Sequence, residues 1–396
     1  MIDNAPIIAA LGRRLRLGVV GGGPGSFIGA IHRSAARLDD RYQVVAAVLS
    51  SNPERSLAAA GQLGFDPARS YGSLDQMLQG EAARPDGIDV LAVMTPNDSH
   101  YAAARAALDG GLDVICDKPL TNTLDDALDL VARVRASGRV FCVTYNYTGY
   151  PMVRQARAMV GAGELGEIRA VQVEYVQGHL AELTAAETGA ASNWRMNTDQ
   201  AGESLILGDI GSHAHHLACY VSGLELAQVS ADVGAMVPGR KVDDTAAALL
   251  RFETGARGIL WVTQAAAGAE HGLRFRLFGA KGSLEWHQEH PNQLHYAPLG
   301  RPRQVFSRGG PGLLPQAQRV TRVSIGHPEG FHEAFANLYA DAAEAIAARL
   351  SGRTADPLAL DFPTVEDGAR GLKFIAATAE SGRADGRWTD CRLRFE

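Results

Sequence analysis

The stretch DIGSHAHHL places one carboxylate and three imidazoles within nine residues, beginning at Asp209. If this stretch is helical, Asp209 and His213 lie one turn apart on the same face. An imidazole titrates near neutral pH and can take up or return a proton, and a nearby carboxylate can orient it or bind a hydroxyl. The stretch could hold a catalytic pair, a metal site or an ordinary buried helix.

The sequence patterns do not support a metal site. The sequence has no H-E-x-x-H motif, and Cys116, Cys142, Cys219 and Cys391 are scattered without metal or redox spacing. We therefore expect no bound metal. The same scatter of cysteines favours a reducing compartment, and we expect a cytoplasmic protein.

Composition indicates a globular protein of about two domains. The 396-residue chain is 46% hydrophobic and 21% charged, and its formal net charge is −6. This charge gives no general attraction to nucleic acid or to an anionic membrane. No apolar run approaches the ~20 residues that span a bilayer. We expect neither nucleic acid nor membrane as a partner.

A glycine-rich turn follows the first predicted strand in LRLGVVGGGPGSFIGAIH. Glycine permits a tight turn and lets backbone amides approach a diphosphate at the start of the next helix. The strand before the turn and the helix after it favour dinucleotide binding over a simple structural turn. The predicted cofactor contacts in this turn are Gly21, Gly23, Gly25, Ser26, Phe27 and Ile28.

The end of the second predicted strand, VLSSNPERS, bears on the choice of cofactor. NAD-binding sheets carry an acidic residue near this position that holds the ribose hydroxyls. Here Ser50 and Ser51 leave room for a 2′-phosphate, and Arg55 supplies a positive charge. We therefore expect NADP to be favoured over NAD. The alternative is that the segment only caps the next helix, and a cap is compatible with a phosphate contact.

Strand-like and helix-like segments alternate over the first third of the chain. This alternation predicts an α/β Rossmann domain over residues 1–147, with a parallel sheet covered on both faces. Further along, IRAVQVEYVQG alternates apolar and polar residues, and short turns such as Glu253-Thr254-Gly255 join paired segments. These patterns predict a second, α+β domain over residues 148–396, built on an open and mainly antiparallel sheet.

Two further motifs follow predicted strands of the first domain, at the sheet edge where ligands bind. TPNDSH follows the third strand and CDKP the fourth, which places Lys118 where it can touch a cofactor or substrate. Taken alone, a lysine before a proline is more often a solvated turn residue.

Four motifs occur in the order and spacing typical of Gfo/Idh/MocA oxidoreductases, namely GVVGGG…GAIH, TPNDSH, CDKP and GDIGSH. The sequence resembles this family over essentially its whole length. The resemblance implies that Lys118, Asp209 and His213 are catalytic. It also implies cofactor contacts at the ends of the third and fourth strands, from Thr95, Pro96, Asn97, His100, Asp117 and Lys118.

The sequence departs from the family pattern at three places. Asp117 replaces the usual glutamate, Pro24-Gly25-Ser26 lengthens the glycine turn, and His216 stands where many members have an aspartate.

Three further stretches resemble a sugar-handling branch of the family, namely NWRMN, VDDTAAALLRFETGARG and GHPEGFHEAFANLY. Besides Lys118, Asp209 and His213, the resemblance implies that substrate contacts come from among Trp194, Arg195, Asp243, Asp244, His327 and Glu329. The alternatives are a tryptophan in the core, a solvated acidic turn and a helix start at His327-Pro328-Glu329.

The expected activity is hydride transfer between a secondary alcohol of a sugar, glycoside or cyclitol and the nicotinamide of NAD(P). His213 takes the hydroxyl proton and Lys118 stabilises the developing alkoxide. Two other functions remain open, a glycosidase that acts by transient oxidation and elimination, and a non-catalytic dinucleotide-binding regulator. The resemblance also implies a homo-oligomer, a dimer or tetramer, formed through the open sheet.

Overall fold

The computed structural model of the protein describes residues 5–182 and 202–395. The chain divides into two compact units. The first unit consists of Met1–Thr121, Asp125–Gly149 and Phe331–Ala369, and the second of Asn122–Leu124, Tyr150–Gly330 and Arg370–Glu396. This division differs from a single boundary after residue 147, because the segment from Phe331 to Ala369 groups with the first unit.

Strands and helices alternate over the first third of the described chain, as the sequence patterns predict. The helices are α1 (Ala5–Leu11), α2 (Phe27–Leu38), α3 (Pro53–Gln62), α4 (Leu74–Ala82), α5 (His100–Asp109), α6 (Leu124–Ser137), α7 (Pro151–Gly161), α8 (Ser212–Ser222), α9 (Pro315–Arg319), α10 (Phe331–Ser351) and α11 (Val365–Arg383). The strands are β1 (Leu15–Gly21), β2 (Tyr42–Val48), β3 (Val90–Met94), β4 (Asp113–Cys116), β5 (Phe141–Val143), β6 (Ile168–Gln177), β7 (Leu226–Gly234), β8 (Thr245–Phe252), β9 (Arg257–Thr263), β10 (His271–Gly279), β11 (Gly282–His287), β12 (Gln293–Pro298), β13 (Gln304–Ser307) and β14 (Thr389–Asp390).

The first unit contains a parallel sheet whose described strands have the order β2-β1-β3-β4-β5. Strand β1 pairs in parallel with β2 on one side and with β3 on the other. Because the chain changes direction across the sheet at this point, the carboxyl ends of β1 and β3 form the crevice in which such sheets bind ligands. The predicted Rossmann sheet is confirmed.

An apolar cluster explains why a late segment belongs to the first unit. Helix α10 buries Phe335, Leu338 and Ile346 in one cluster with Leu15 and Leu17 of β1. The apolar stripe on this helix can be predicted from the sequence, since its residues recur at helical spacing. Its spacing does not tell which sheet the stripe covers, and only the packing shows this.

The second unit contains a sheet whose described strands have the order β13-β12-β11-β10-β6-β9-β8-β7-β14. Its pairings are antiparallel except for that of β6 with β9, which is parallel. Burial alternates along β8 and β9, so one face of each strand is covered and the other is open. The predicted open, mainly antiparallel sheet is confirmed. Among the described residues, no helix has the length and apolar character to cross a membrane.

Candidate active site and dinucleotide site

The chain leaves β1 through a tight turn that accounts for the three extra residues of the glycine motif. The backbone N–H of Ser26 donates to the carbonyl of Gly23 at 3.0 Å. Gly25 has a φ of +84°, and Pro24 precedes it. Proline and then a positive-φ glycine at the two central positions are typical of a type II turn. The insertion therefore forms one compact turn before α2.

Ser26 caps the start of helix α2. Its Oγ accepts a hydrogen bond from the backbone N–H of Gly29 at 3.1 Å. The first amides of a helix have no partner within the helix, and they carry its positive dipole end. The amides of Phe27 and Ile28 lie at this end, where an anionic diphosphate binds in related sheets. The Phe27 side chain is 72% exposed.

Close packing requires the glycines of this turn. A Cβ on Gly29 would lie 2.3 Å from the carbonyl oxygen of Gly22, and a Cβ on Gly22 would lie 2.7 Å from the Cα of Gly29. A Cβ on Gly23 would lie 2.7 Å from the carbonyl oxygen of Leu49. Only glycine lets the backbone segments approach this closely. The local geometry therefore fits a dinucleotide site.

The segment after β2 caps α3. Ser50 Oγ accepts from the backbone N–H of Asn52 at 3.1 Å, and Asn52 Oδ1 accepts from that of Arg55 at 2.9 Å. The segment therefore does cap the next helix, as the alternative interpretation of its sequence proposed. Ser51 and Arg55 are exposed, so their side chains remain open to solvent at the carboxyl end of β2.

The end of β3 is tied to the turn after β4 by His100. This side chain is fully buried. Its Nδ1 lies 2.9 Å from the carbonyl oxygen of Pro119, and its Nε2 lies 2.9 Å from that of Thr95. Both nitrogens therefore face protein carbonyls, so the ring joins two loops instead of presenting a nitrogen to a cofactor. Asn97, three residues before His100, is also buried.

Asp117 organises the turn that carries Lys118. Its Oδ1 accepts from the backbone N–H of Lys118 and from the Oγ1 of Thr144, both at 2.9 Å. The Lys118–Pro119 peptide bond is cis. Thr144 follows β5 and was not among the predicted site residues. A hydroxyl at the carboxyl end of a strand was the signal that could have indicated it.

The residues of the motif GDIGSH correct the prediction of a regular α-helix. Leu207–Gly211 forms a π-helical turn, and α8 begins only at Ser212. In a π-helix the hydrogen bonds run from residue i to i+5, so the 3.6-residue period does not hold through Asp209. It holds from Ser212 onward, where all three histidines lie. Short π-helical turns are frequent at functional sites.

The three histidines of α8 have different surroundings. His215 stacks on Phe374, with ring centroids 4.4 Å apart. Burial lowers its pKa to about 3, with smaller contributions from His216 and Arg370. The ring is therefore neutral at physiological pH and belongs to the packing.

His216 stacks on Tyr220 at 6.0 Å, and His213 meets Tyr175 of β6 edge-on at 6.5 Å. His213 is also 8% exposed, so it is buried but not sealed.

Asp209 is held by a residue that was not predicted from the sequence. Gln264, which directly follows β9, donates from Nε2 to Asp209 Oδ2 at 2.8 Å. The same nitrogen lies 3.3 Å from Gln177 Oε1 at the end of β6. Since β6 and β9 are parallel neighbours, their carboxyl ends meet at one edge of the sheet. No local motif marks Gln264, because its partner comes from a distant segment.

Two of the predicted substrate residues, Trp194 and Arg195, lie outside the described residues. His327 is exposed on a loop. Its contact with the substrate stays a prediction.

Three acidic residues were also candidates for substrate contacts, and their carboxylates bind other groups of the second unit. Asp244 is fully buried and pairs with Arg240 at 2.9 Å. Asp243 accepts from the backbone N–H of Leu205 at 2.7 Å, next to the π-helical turn. Glu329 pairs with Arg308 at 2.8 Å. These contacts hold loops of the second unit in place.

Comparison with known proteins places the chain in a family. Residues 15–145 match the oxidoreductase family with an NAD-binding Rossmann fold, and residues 153–285 match the GFO/IDH/MocA C-terminal domain. The protein belongs to the GFO/IDH/MocA oxidoreductases, as its motifs predict.

Individual relatives resemble it over most of their length. An uncharacterized oxidoreductase of Bacillus subtilis, YfiI, is 33% identical over 98% of this chain and 99% of its own. A crystal structure of an inositol dehydrogenase homolog from Azotobacter vinelandii, complexed with NADH and myo-inositol, is 38% identical with a TM-score of 0.87, covering 96% of this chain and 98% of its own. The levoglucosan dehydrogenase of Pseudarthrobacter phenanthrenivorans is 27% identical over 72% of this chain and 76% of its own.

Proposed function

We propose that the protein is a dehydrogenase that oxidises a secondary alcohol of a sugar, glycoside or cyclitol. The observation that carries the proposal is the Asp209–His213 pair of the second unit, in which a carboxylate held by Gln264 precedes a buried histidine. The glycine turn of the first unit supports it by fitting a dinucleotide. The similar protein that holds NADH and myo-inositol supports the polyol class of substrate.

We assign the residues the following tasks. His213 takes the proton of the substrate hydroxyl, because a histidine can act as a base near neutral pH. Lys118 donates a hydrogen bond to the same oxygen and stabilises its developing negative charge. Asp209 orients His213 or binds a neighbouring hydroxyl. The bound nicotinamide supplies the acceptor for the hydride that leaves the carbinol carbon.

The amides of Phe27 and Ile28 would hold the diphosphate at the start of α2. The hydroxyl and amide groups after β3, β4 and β5 lie at the same edge of the first unit's sheet as this helix end. Thr95 Oγ1 is buried there and has no hydrogen-bond partner among the described residues. A polar atom of this kind is available to a ligand.

Replacement of His213 tests the assignment. His213→Ala should lower turnover by about 10²–10⁴-fold, the usual contribution of a positioned acid or base. The affinity for the dinucleotide should stay nearly unchanged, because the first unit binds it. His215→Leu is the matched control, since His215 packs on Phe374, and it should turn over almost normally. Near-normal turnover by His213→Ala, with loss in His216→Ala, would show that the wrong histidine has been assigned.

Product analysis separates this activity from the two other functions. A dehydrogenase reduces one cofactor for each alcohol oxidised. A glycosidase that oxidises its substrate only transiently yields net hydrolysis without net reduction of the cofactor. A regulator binds the dinucleotide and converts no polyol at all.

We also propose that NADP is used at least as well as NAD. The support is the absence of an acidic residue in the segment from Leu49 to Asn52 and the exposed Arg55 behind it. Ser50→Asp adds repulsion against a 2′-phosphate and should shift the preference toward NAD. Titration of both cofactors against both proteins decides the question. A clear wild-type preference for NAD would leave capping as the only function of this segment.

The open face of the second sheet supports a homo-oligomer. Leu249, Ile259, Trp261 and Phe278 are between 41% and 52% exposed. Leu249 pairs with Ile259 across β8 and β9, so these side chains share one face. Exposed apolar side chains that share one face of a sheet are typical of an interaction surface. The occupant we propose is a second copy of the chain. Sedimentation should give a dimer or tetramer that Trp261→Glu weakens, and a wild-type monomer at micromolar concentration would refute it.

A further inference from the structure

Gln264 is fixed at both its backbone and its side chain. Its backbone N–H donates to the carbonyl of Asp244 at 2.9 Å, and its carbonyl accepts from the N–H of Leu180 at 3.2 Å. The side chain is fully buried. Its Nε2 donates to Asp209 at 2.8 Å and to Gln177 at 3.3 Å. Both hydrogens of the amide are therefore engaged by acceptors.

The carbonyl end of the same amide shows which contact determines its orientation. Gln264 Oε1 is buried and has no hydrogen-bond partner among the described residues. An unpaired buried acceptor is destabilising, so such atoms are rare in native proteins. Rotating the amide by half a turn would place this oxygen against the Asp209 carboxylate, where two acceptors repel. The side chain thus keeps an unpaired oxygen and retains its hydrogen bond to Asp209.

From this geometry we infer that Gln264 is a positioning residue for the reaction, acting through Asp209. Its amide donates a charge-assisted hydrogen bond that favours the ionised carboxylate and holds it in one orientation. Gln177 in turn holds the amide, so the parallel ends of β6 and β9 anchor the carboxylate that precedes His213. The inference rests on the proposed function, because it assigns Asp209 its catalytic task.

Gln264→Met tests it by removing the amide while keeping the length of the side chain. A hydrogen bond to a charged group corresponds to about a 10- to 100-fold effect on kcat/KM, and we expect a loss in this range. The dissociation constant of the dinucleotide should not change. Gln155→Met is the matched control. Gln155 is equally buried in the second unit, but its Oε1 accepts from the backbone N–H of Leu314 at 2.7 Å. This control should lose stability and keep its kcat/KM.

Gln264→Glu gives a signature that a merely structural role would not produce. An ionised glutamate beside Asp209 repels it, whereas a protonated glutamate again donates a hydrogen bond. The activity of Gln264→Glu relative to wild type should therefore rise as the pH is lowered. A pH-independent ratio, or equal losses in Gln264→Met and Gln155→Met, would overturn the inference. If His213→Ala also kept full activity, the proposed function itself would be at fault.

Discussion

Replacement of His100 tests how the first unit places Lys118. His100→Leu removes both ring nitrogens at similar volume. A ring protonated on both nitrogens donates to both carbonyls, and a neutral ring donates to one. The substitution therefore leaves the buried Pro119 carbonyl, the partly buried Thr95 carbonyl, or both without a donor. At ~1–3 kcal/mol for each, the free energy of unfolding should fall by about 1–6 kcal/mol.

A loss above ~3 kcal/mol exceeds what one unpaired carbonyl accounts for. Urea unfolding with linear extrapolation measures it. The control is Tyr42→Phe in the same unit, which removes one buried hydrogen bond, from Tyr42 Oη to the carbonyl of Tyr339 at 2.8 Å. His100→Gln keeps an amide donor and should fall between wild type and His100→Leu.

The catalytic effect separates positioning from stability. The carbonyl of Pro119 directly follows Lys118, so a loosened turn misplaces the lysine, and a displacement of about 1 Å can cost 10²-fold in rate. We expect His100→Leu to lose turnover at temperatures where it remains folded, and Tyr42→Phe to keep it. If His100→Leu turned over normally while folded, the bridge between the two loops would have no part in placing Lys118.

Two further predictions concern the first unit. Gly29→Ala should abolish dinucleotide binding, because its Cβ would lie 2.3 Å from the backbone of the glycine turn. In Gly25→Ala the new Cβ meets no atom within 4 Å, so this variant should lose only ~1–2 kcal/mol of stability through strain at φ +84°. Cofactor titration and urea unfolding compare the two variants. Burial lowers the pKa of His32 to about 4. Because this histidine takes up its proton near pH 6.5 in the unfolded chain and only near pH 4 in the folded one, the free energy of unfolding falls by roughly 3 kcal/mol between these two pH values. His32→Phe should therefore show a shallower loss of unfolding free energy between pH 7 and pH 4.5, and an unchanged slope would contradict this.

The glycine turn shows how much of the site can be predicted locally. A strand that ends in glycines and a helix that begins after Ser26 predict a diphosphate site from adjacent residues alone. The type II turn is equally local, since Pro24 and Gly25 favour it wherever they stand. The detailed environment of His100 could not be predicted, because its two carbonyl partners belong to separate loops.

The alternation of strands and helices in the first unit, the alternating strands of the second and the glycine turn follow from the sequence by itself. They depend on periodicity, on backbone preference and on short motifs, all of which act between near neighbours in the chain. Only the tertiary structure decided that α10 packs in the first unit, that the helix around Asp209 is π-helical and that Gln264 holds its carboxylate. The last contact joins residues 55 positions apart. Such pairs depend on which strands become neighbours, and this follows from packing the whole sheet.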